Sequence, residues 1–225
     1  MEIKDRKIGP YTLKNFGHVT PYNEMRFLQS FVASQALNAE YRPLNIVEVG
    51  TWVGETAVAM ALAAPYNSRI ICIDTWQGNQ EDWSSWLVNE LEKIDCEEDN
   101  EIPPLQKLFE YNVSQVTPHC TFYPIRGESL QVAHDLVSLN LETPWDLEKA
   151  DLIFIDAAHT FEAASSDIQA WLPWLAEDGI LCGHDYDPSL FPGVCEAVGR
   201  AGFDFYTLLG TSIWVRKQIG KETKQ

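Results

Sequence analysis

Apolar residues first recur at helical spacing at Met25, Phe27, Leu28, Phe31 and Val32, behind a Thr20-Pro21 pair that offers an N-cap hydroxyl and a first-turn proline. Pro43 ends that helix, and LNIVEVG over 44–50 is almost continuously apolar, as a strand buried on both faces of a parallel sheet must be. TAVAMALAA predicts a compact, alanine-rich helix and RIICID over 69–74 a second apolar strand ending in an acid, which completes one βαβ unit. The alternation continues through CTFYPI at 120–125, a helix over 128–138, DLIFID at 151–156, a helix over 161–175 and GILCG at 179–183. A helix over 193–201 follows Pro192, and FDFYTLL and SIWVRK then alternate across a Gly-Thr turn as a terminal antiparallel hairpin. Together these elements predict an α/β fold, a doubly wound, mostly parallel seven-stranded sheet closed by that hairpin.

One stretch breaks the alternation. Residues 76–112 fill a connection that one helix normally makes, and they carry Trp76, Trp83 and Trp86 beside an acidic run over 90–101. The stretch is read as an inserted segment that either covers the substrate or packs down on itself, and the acidic run as a solvated face. Trp171 and Trp174 share helical spacing with Ile168, Leu172 and Leu175, so packing explains them. KQIGKETKQ over 217–225 reads as a loose tail, and 1–225 as a single domain.

Composition narrows the function classes. The apolar share of 45% and charged share of 22% are those of a folded globular chain. A net charge of −17 repels a phosphate backbone, so nucleic acid is not the expected partner. No apolar run is long enough for a membrane helix, and MEIKDRKIGP is too charged for a signal peptide. The five cysteines, at 72, 96, 120, 182 and 195, are odd in number and lack a CxxC, which favours free thiols in the cytoplasm over disulfides or zinc. A homo-oligomer is compatible with all of this.

Two constellations carry chemistry. In Glu48-Val49-Gly50-Thr51-Trp52-Val53-Gly54-Glu55-Thr56 a strand end turns through two glycines into a helix whose first amides face the crevice at the strand's carboxyl end. Asp74 ends the next strand, 24 residues past Gly50, where an acid can accept both ribose hydroxyls of an adenosine-containing cofactor. The dinucleotide fingerprint GxGxxG is absent, and Trp52 stands where a pyrophosphate would approach, so an NAD(P)-dependent oxidoreductase is the weaker reading. A cofactor with adenine and ribose but no phosphate suits the loop better, which points to S-adenosylmethionine, with Glu48 available to orient its charged amino acid part. The second constellation is Asp156, His159, His184 and Asp185, just past the carboxyl ends of two strands. Two carboxylates and an imidazole there suit a divalent cation such as Mg²⁺, although caps and ordinary hydrogen bonds also explain strand-end Asp and His.

From about 45 to 200 the chain resembles the class I S-adenosylmethionine-dependent methyltransferases, in the O-methyltransferase branch related to macrolide-sugar and catechol enzymes. VEVGTWVGET matches the first motif, IICIDTW the second, IRGES the adenine-side turn, and DLIFIDAAHTFEAASSDIQAWLPWLAEDGILCGHDY the long block particular to that branch. The resemblance implies a Rossmann-like fold and a cofactor lined by Gly50, Trp52, Gly54, Thr56, Asp74, Thr75, Gly127 and Ser129, with Ser129 near the adenine. It implies further that Asp156 and Asp185 hold a metal and that the acceptor is a small molecule or sugar; beside it, the residues themselves offer His184 as the third ligand and Asp156, His159 and His184 as the catalytic groups, with His159 or His184 taking the acceptor's proton. The chain departs from the branch in carrying Tyr186 where the catechol enzymes have an amide and His184 where the macrolide-sugar enzymes have a carboxylate. A lysine close after Asp156, a base in the catechol enzymes, is also missing, which favours a sugar or polyol over a phenol. A non-catalytic α/β module that retains the cofactor pocket is the remaining alternative.

Overall fold

The computed structural model describes residues 3–15, 20–78, 102–116, 119–138 and 149–218. Ahead of the first predicted helix, β1 (Lys4–Ile8) and β2 (Tyr11–Asn15) form an antiparallel hairpin. The charged KDRK run conceals it, because only Ile8, Leu13 and Asn15 of these two strands are buried. α1 (Tyr22–Asn38) follows with Pro21 in the N-cap place and no side-chain cap, so Thr20 does not play the capping role predicted for it.

The alternation then runs β3 (Asn45–Val49), α2 (Glu55–Ala61), β4 (Ser68–Asp74), α3 (Pro104–Ser114), β5 (Cys120–Arg126), α4 (Ser129–Ser138), β6 (Ala150–Ile155), α5 (Phe161–Trp171), β7 (Leu175–Gly183), α6 (Pro192–Arg200), β8 (Phe205–Thr207) and β9 (Trp214–Arg216). The helix predicted over 161–175 stops at Trp171. Pro173 cannot continue it, a 3₁₀ turn over Leu172–Trp174 takes its place, and β7 starts at Leu175, earlier than predicted.

The seven strands are ordered β5-β4-β3-β6-β7-β9-β8, with β9 antiparallel to both neighbours and β3 to β7 all parallel. Alternate side chains along the central strands feed two cores, as the two-residue period requires. Ile46, Ile70, Leu152 and Phe154 pack under α1, α2 and α3, while Val47, Ile71, Ile153 and Leu181 pack under α4, α5 and α6. Trp171 is fully buried in the second core, as expected, with Trp174 partly buried beside it. Strand order reverses between β3 and β6, which opens a crevice at their carboxyl ends.

α3 corrects the reading of 76–112 as inserted throughout. It places Leu105, Leu108 and Phe109 in the first core, and Trp76 is buried against Phe109 with ring centroids 5.2 Å apart. This helix is therefore the ordinary crossover between β4 and β5. Trp83, Trp86, Cys96 and the whole of the acidic run lie outside the described residues. Of the segment read as a tail, the Lys217 amide donates to the Asp204 carbonyl at 2.7 Å and the Gln218 side chain to the Asp178 carbonyl at 3.0 Å.

Candidate active site

The loop after β3 is shaped by three left-handed residues, Gly50 (φ 85°), Trp52 (φ 49°) and Gly54 (φ 85°). Gly50 has no alternative here, since a Cβ would lie 2.0 Å from the Asp156 carbonyl oxygen of the neighbouring strand end. Beneath the loop the Glu48 carboxylate accepts the Thr51 hydroxyl at 2.6 Å and the Thr56 hydroxyl. Glu48 is fully buried and Thr56 nearly so, and both brace the loop from below. Burial pushes the Glu48 carboxyl up to about 8 against those two hydroxyls, with the charges of Asp156 and Asp74 adding to the rise.

Asp74 clasps the same loop. Its two carboxylate oxygens accept the amides of Trp52 at 2.9 Å and Trp76 at 2.8 Å, and the Trp76 indole donates to the Trp52 carbonyl at 2.8 Å. Burial raises the Asp74 pKa while the amides of Trp76, Trp52 and Thr75 oppose the rise. Each carboxylate oxygen has more than one lone pair, so these amide bonds do not exhaust its acceptor capacity. On the far side of Asp74 the Gly127 amide donates to the Asp74 carbonyl at 3.0 Å, which draws the 127–129 turn against the end of β4. Ser129 accepts the Trp171 indole N–H at 2.8 Å and bonds Asp167, whose carboxyl burial pushes up to about 6.

Across the crevice, backbone bonds bring the second constellation level with the loop. The Asp156 amide donates to the Val49 carbonyl at 2.8 Å and the His184 amide to the Ile155 carbonyl at 3.0 Å. Asp156, His184 and Asp185 thereby offer ligand atoms that all lie within 4.8 Å of one another. His184 Nδ1 is 3.0 Å from Asp185 Oδ1 and 3.6 Å from Asp156 Oδ1, and His159 Nε2 holds Asp185 Oδ2 at 2.7 Å. Asp185 itself is a left-handed residue at φ 60°, the backbone turn that aims its carboxylate at both imidazoles.

Two members of this site escaped the sequence reading. His184 Nε2 lies 2.8 Å from Glu24 Oε2 and 2.9 Å from the Ser212 hydroxyl, and the Ser212 amide donates to Glu24 Oε1 at 2.8 Å. Glu24 is only 3% exposed and sits on the buried face of α1, in register with Leu28 and Val32. An acid at i, i+4, i+8 on an apolar stripe was the available signal. Burial opposes the charge on His184, but bonds to Asp156, Asp185 and Glu24 outweigh it and push its pKa up to about 12. For Asp185 burial works the other way, and the two imidazoles override it and hold the carboxyl well below its usual range. His159 is raised by its bond to Asp185 against burial.

Comparison with known proteins bears on the family and the fold. A family model described as a methyltransferase domain matches residues 47–186, well over half of the chain. Solved structures with this fold include the calicheamicin methyltransferase CalS11, at 18% identity over 87% of this chain and 80% of that one with a TM-score of 0.54. Another is the O-methyltransferase from Bacillus cereus in complex with SAH, at 14% identity over 89% and 82% with a TM-score of 0.54. The span matched by the family model contains both the 50–54 loop and the cluster from Asp156 to Asp185, and the chain belongs to the class I S-adenosylmethionine-dependent methyltransferases.

Proposed function

We propose that the protein moves the methyl group of S-adenosylmethionine onto a hydroxyl of a small molecule or sugar, with a divalent cation held by Asp156, His184 and Asp185. The observation that carries this reading is adjacency, since Gly50 of the cofactor loop lies directly against the backbone of Asp156, the first member of the polar cluster. Donor and acceptor sites thus share one wall. Described in its apo form as a TDP-rhamnose 3'-O-methyltransferase, CalS11 lends support to a sugar hydroxyl as acceptor. The thiols of Cys72, Cys120, Cys182 and Cys195 are unpaired, in keeping with a cytoplasmic location. No helix among the described residues is long and apolar enough to cross a membrane.

The donor set fits an ion, because an imidazole that gives one nitrogen to a carboxylate and turns the other toward two more carboxylates is arranged as metal-ligating histidines are. When bound, the ion would supply a Lewis acid that orients the acceptor hydroxyl and lowers its pKa. The chain's own residues do the rest. Asp74 accepts the ribose hydroxyls, the Gly127–Ser129 turn bounds the adenine, and the glycine loop holds the sulfonium in line with the acceptor, so that the displacement needs little beyond orientation. His159, which gives Nε2–H to Asp185, accepts the hydroxyl proton at Nδ1, and Asp185 stabilises the imidazolium that results.

A transfer assay with labelled methyl donor and a panel of sugars, polyols and phenols tests the proposal. Activity is expected to vanish in EDTA and return with graded Mg²⁺ or Mn²⁺, with cofactor affinity and thermal midpoint nearly unchanged. His159→Ala is expected to slow transfer by roughly 10²- to 10⁴-fold without displacing the ion. Full activity in EDTA would remove the ion and leave Asp156 and His159 as a metal-free acid–base pair.

A further inference from the structure

We infer that Glu24 and Ser212 hold His184 as a ligand through Nδ1, and that the centre therefore takes a first-row transition ion such as Mn²⁺, Co²⁺ or Zn²⁺ in preference to Mg²⁺. The inference rests on the divalent-ion reading above and names the ion class and the residues that select it.

A carboxylate on the buried face of a helix is costly to desolvate unless it is fully bonded. Both oxygens of Glu24 are committed: Oε1 accepts the Ser212 amide at 2.8 Å and hydroxyl at 3.1 Å, and Oε2 meets His184 Nε2 at 2.8 Å. Ser212 approaches from the segment before β9 and Glu24 from the first turn of α1, so the imidazole is gripped from two elements that do not otherwise belong to the crevice. Nε2–H is directed at Glu24, so Nδ1, which faces Asp156 and Asp185, is the nitrogen that gives up its proton to an incoming ion.

Spacing agrees. Ligands about 2.1 Å from one ion stand roughly 3.0 Å apart when octahedral neighbours and about 3.4 Å apart when tetrahedral. His184 Nδ1 is 3.0 Å from Asp185 Oδ1 and 3.6 Å from Asp156 Oδ1, close to these spacings, and all three ligand atoms lie within 4.8 Å of one another, so side-chain adjustment at Asp156 closes the set on an ion. His159 engages only Oδ2 of Asp185, leaving Oδ1 for the ion. Mg²⁺ favours oxygen donors and retains much of its water, whereas one imidazole among two carboxylates suits the later first-row ions.

Calorimetry of the full chain with Mg²⁺, Mn²⁺, Co²⁺ and Zn²⁺, combined with proton NMR of the Co²⁺-loaded protein, tests the inference. Co²⁺ is expected to bind on the order of 100-fold more tightly than Mg²⁺ and to give a hyperfine-shifted, exchangeable imidazole N–H resonance. His184→Asp should abolish that resonance and narrow the gap between the two ions. Glu24→Gln should weaken Co²⁺ binding by roughly 10- to 100-fold, and Ser212→Ala, the gentler change, by a smaller factor in the same direction. If the two variants lower the thermal midpoint but leave Co²⁺ affinity unchanged, the positioning role is overturned. Equal affinity for Mg²⁺ and Co²⁺ in the wild type overturns the selectivity while the divalent-ion reading stands. Absence of any ion binding overturns both, and methyl-donor binding, measured in the same cell, would then separate that failure from failure of the methyltransferase assignment.

Discussion

The two halves of the crevice are built by different means. The cofactor half closes on itself through partners near in sequence, with Thr51 and Thr56 bonded to Glu48 across 3 and 8 residues and Trp52 bonded to Asp74 and Trp76 across 22 and 24. The loop and Asp74 are set by one βα turn and the strand beside it, and only the 127–129 turn is added from the end of β5. The acceptor half is assembled from distant chain, with Glu24 reaching His184 across 160 residues and Ser212 across 188. A local half can form as soon as one βαβ unit does, whereas the distant half is complete only when α1 and β9 have both docked. The cofactor half should therefore tolerate damage to the acceptor half, and the reverse should not hold.

The largest expected effect breaks the wall that both halves share. Gly50→Ala places a Cβ 2.0 Å from the Asp156 carbonyl at a positive φ, so either β3 or β6 must move. A loss of more than about 4 kcal/mol in denaturant unfolding is expected, with methyl-donor binding lost as well. Near-wild-type stability would show that the two strand ends are not in contact.

Asp74→Ala confines damage to the cofactor half. Losing charge-assisted bonds to the ribose should weaken methyl-donor binding by about 1.5 to 3 kcal/mol in calorimetry. Ion affinity at the other half should not change. A matching loss of ion binding would mean that the halves are coupled more closely than their bonding indicates.

A milder perturbation reaches the cofactor half through pH. The Glu48 carboxyl titrates near 8 in the folded protein and near 4.3 when unfolded. Because its folded pKa is the higher, its favourable contribution is complete below about 4.3 and is lost as pH rises toward 8. Glu48→Gln should flatten that part of the profile of thermal midpoint against pH, and an unchanged slope would place the titration elsewhere.

The same contrast explains what the sequence disclosed. Period-2 and period-3.6 patterns located the strands and helices of the sheet, and Gly50, Asp74, Asp156 and Asp185 stood out because strand ends mark themselves. The β1–β2 hairpin stayed hidden because its strands bury so little. α3 was masked by the atypical stretch before it, although Leu105, Leu108 and Phe109 follow helical spacing and all are buried. Glu24 was invisible as a partner of His184 because no local pattern encodes a bond over 160 residues. His184 and Asp185 could be paired with Asp156 from sequence, but which nitrogen faced which carboxylate required the fold.

The most direct measurement compares two quantities in one variant. Asp185→Asn removes a carboxylate from the acceptor half and touches nothing in the cofactor half. Calorimetry with S-adenosylmethionine and a methyl-transfer assay on the best hydroxyl acceptor should show wild-type cofactor affinity together with loss of transfer. Undiminished transfer by Asp185→Asn, or a wild-type protein that binds no S-adenosylmethionine, would contradict the account.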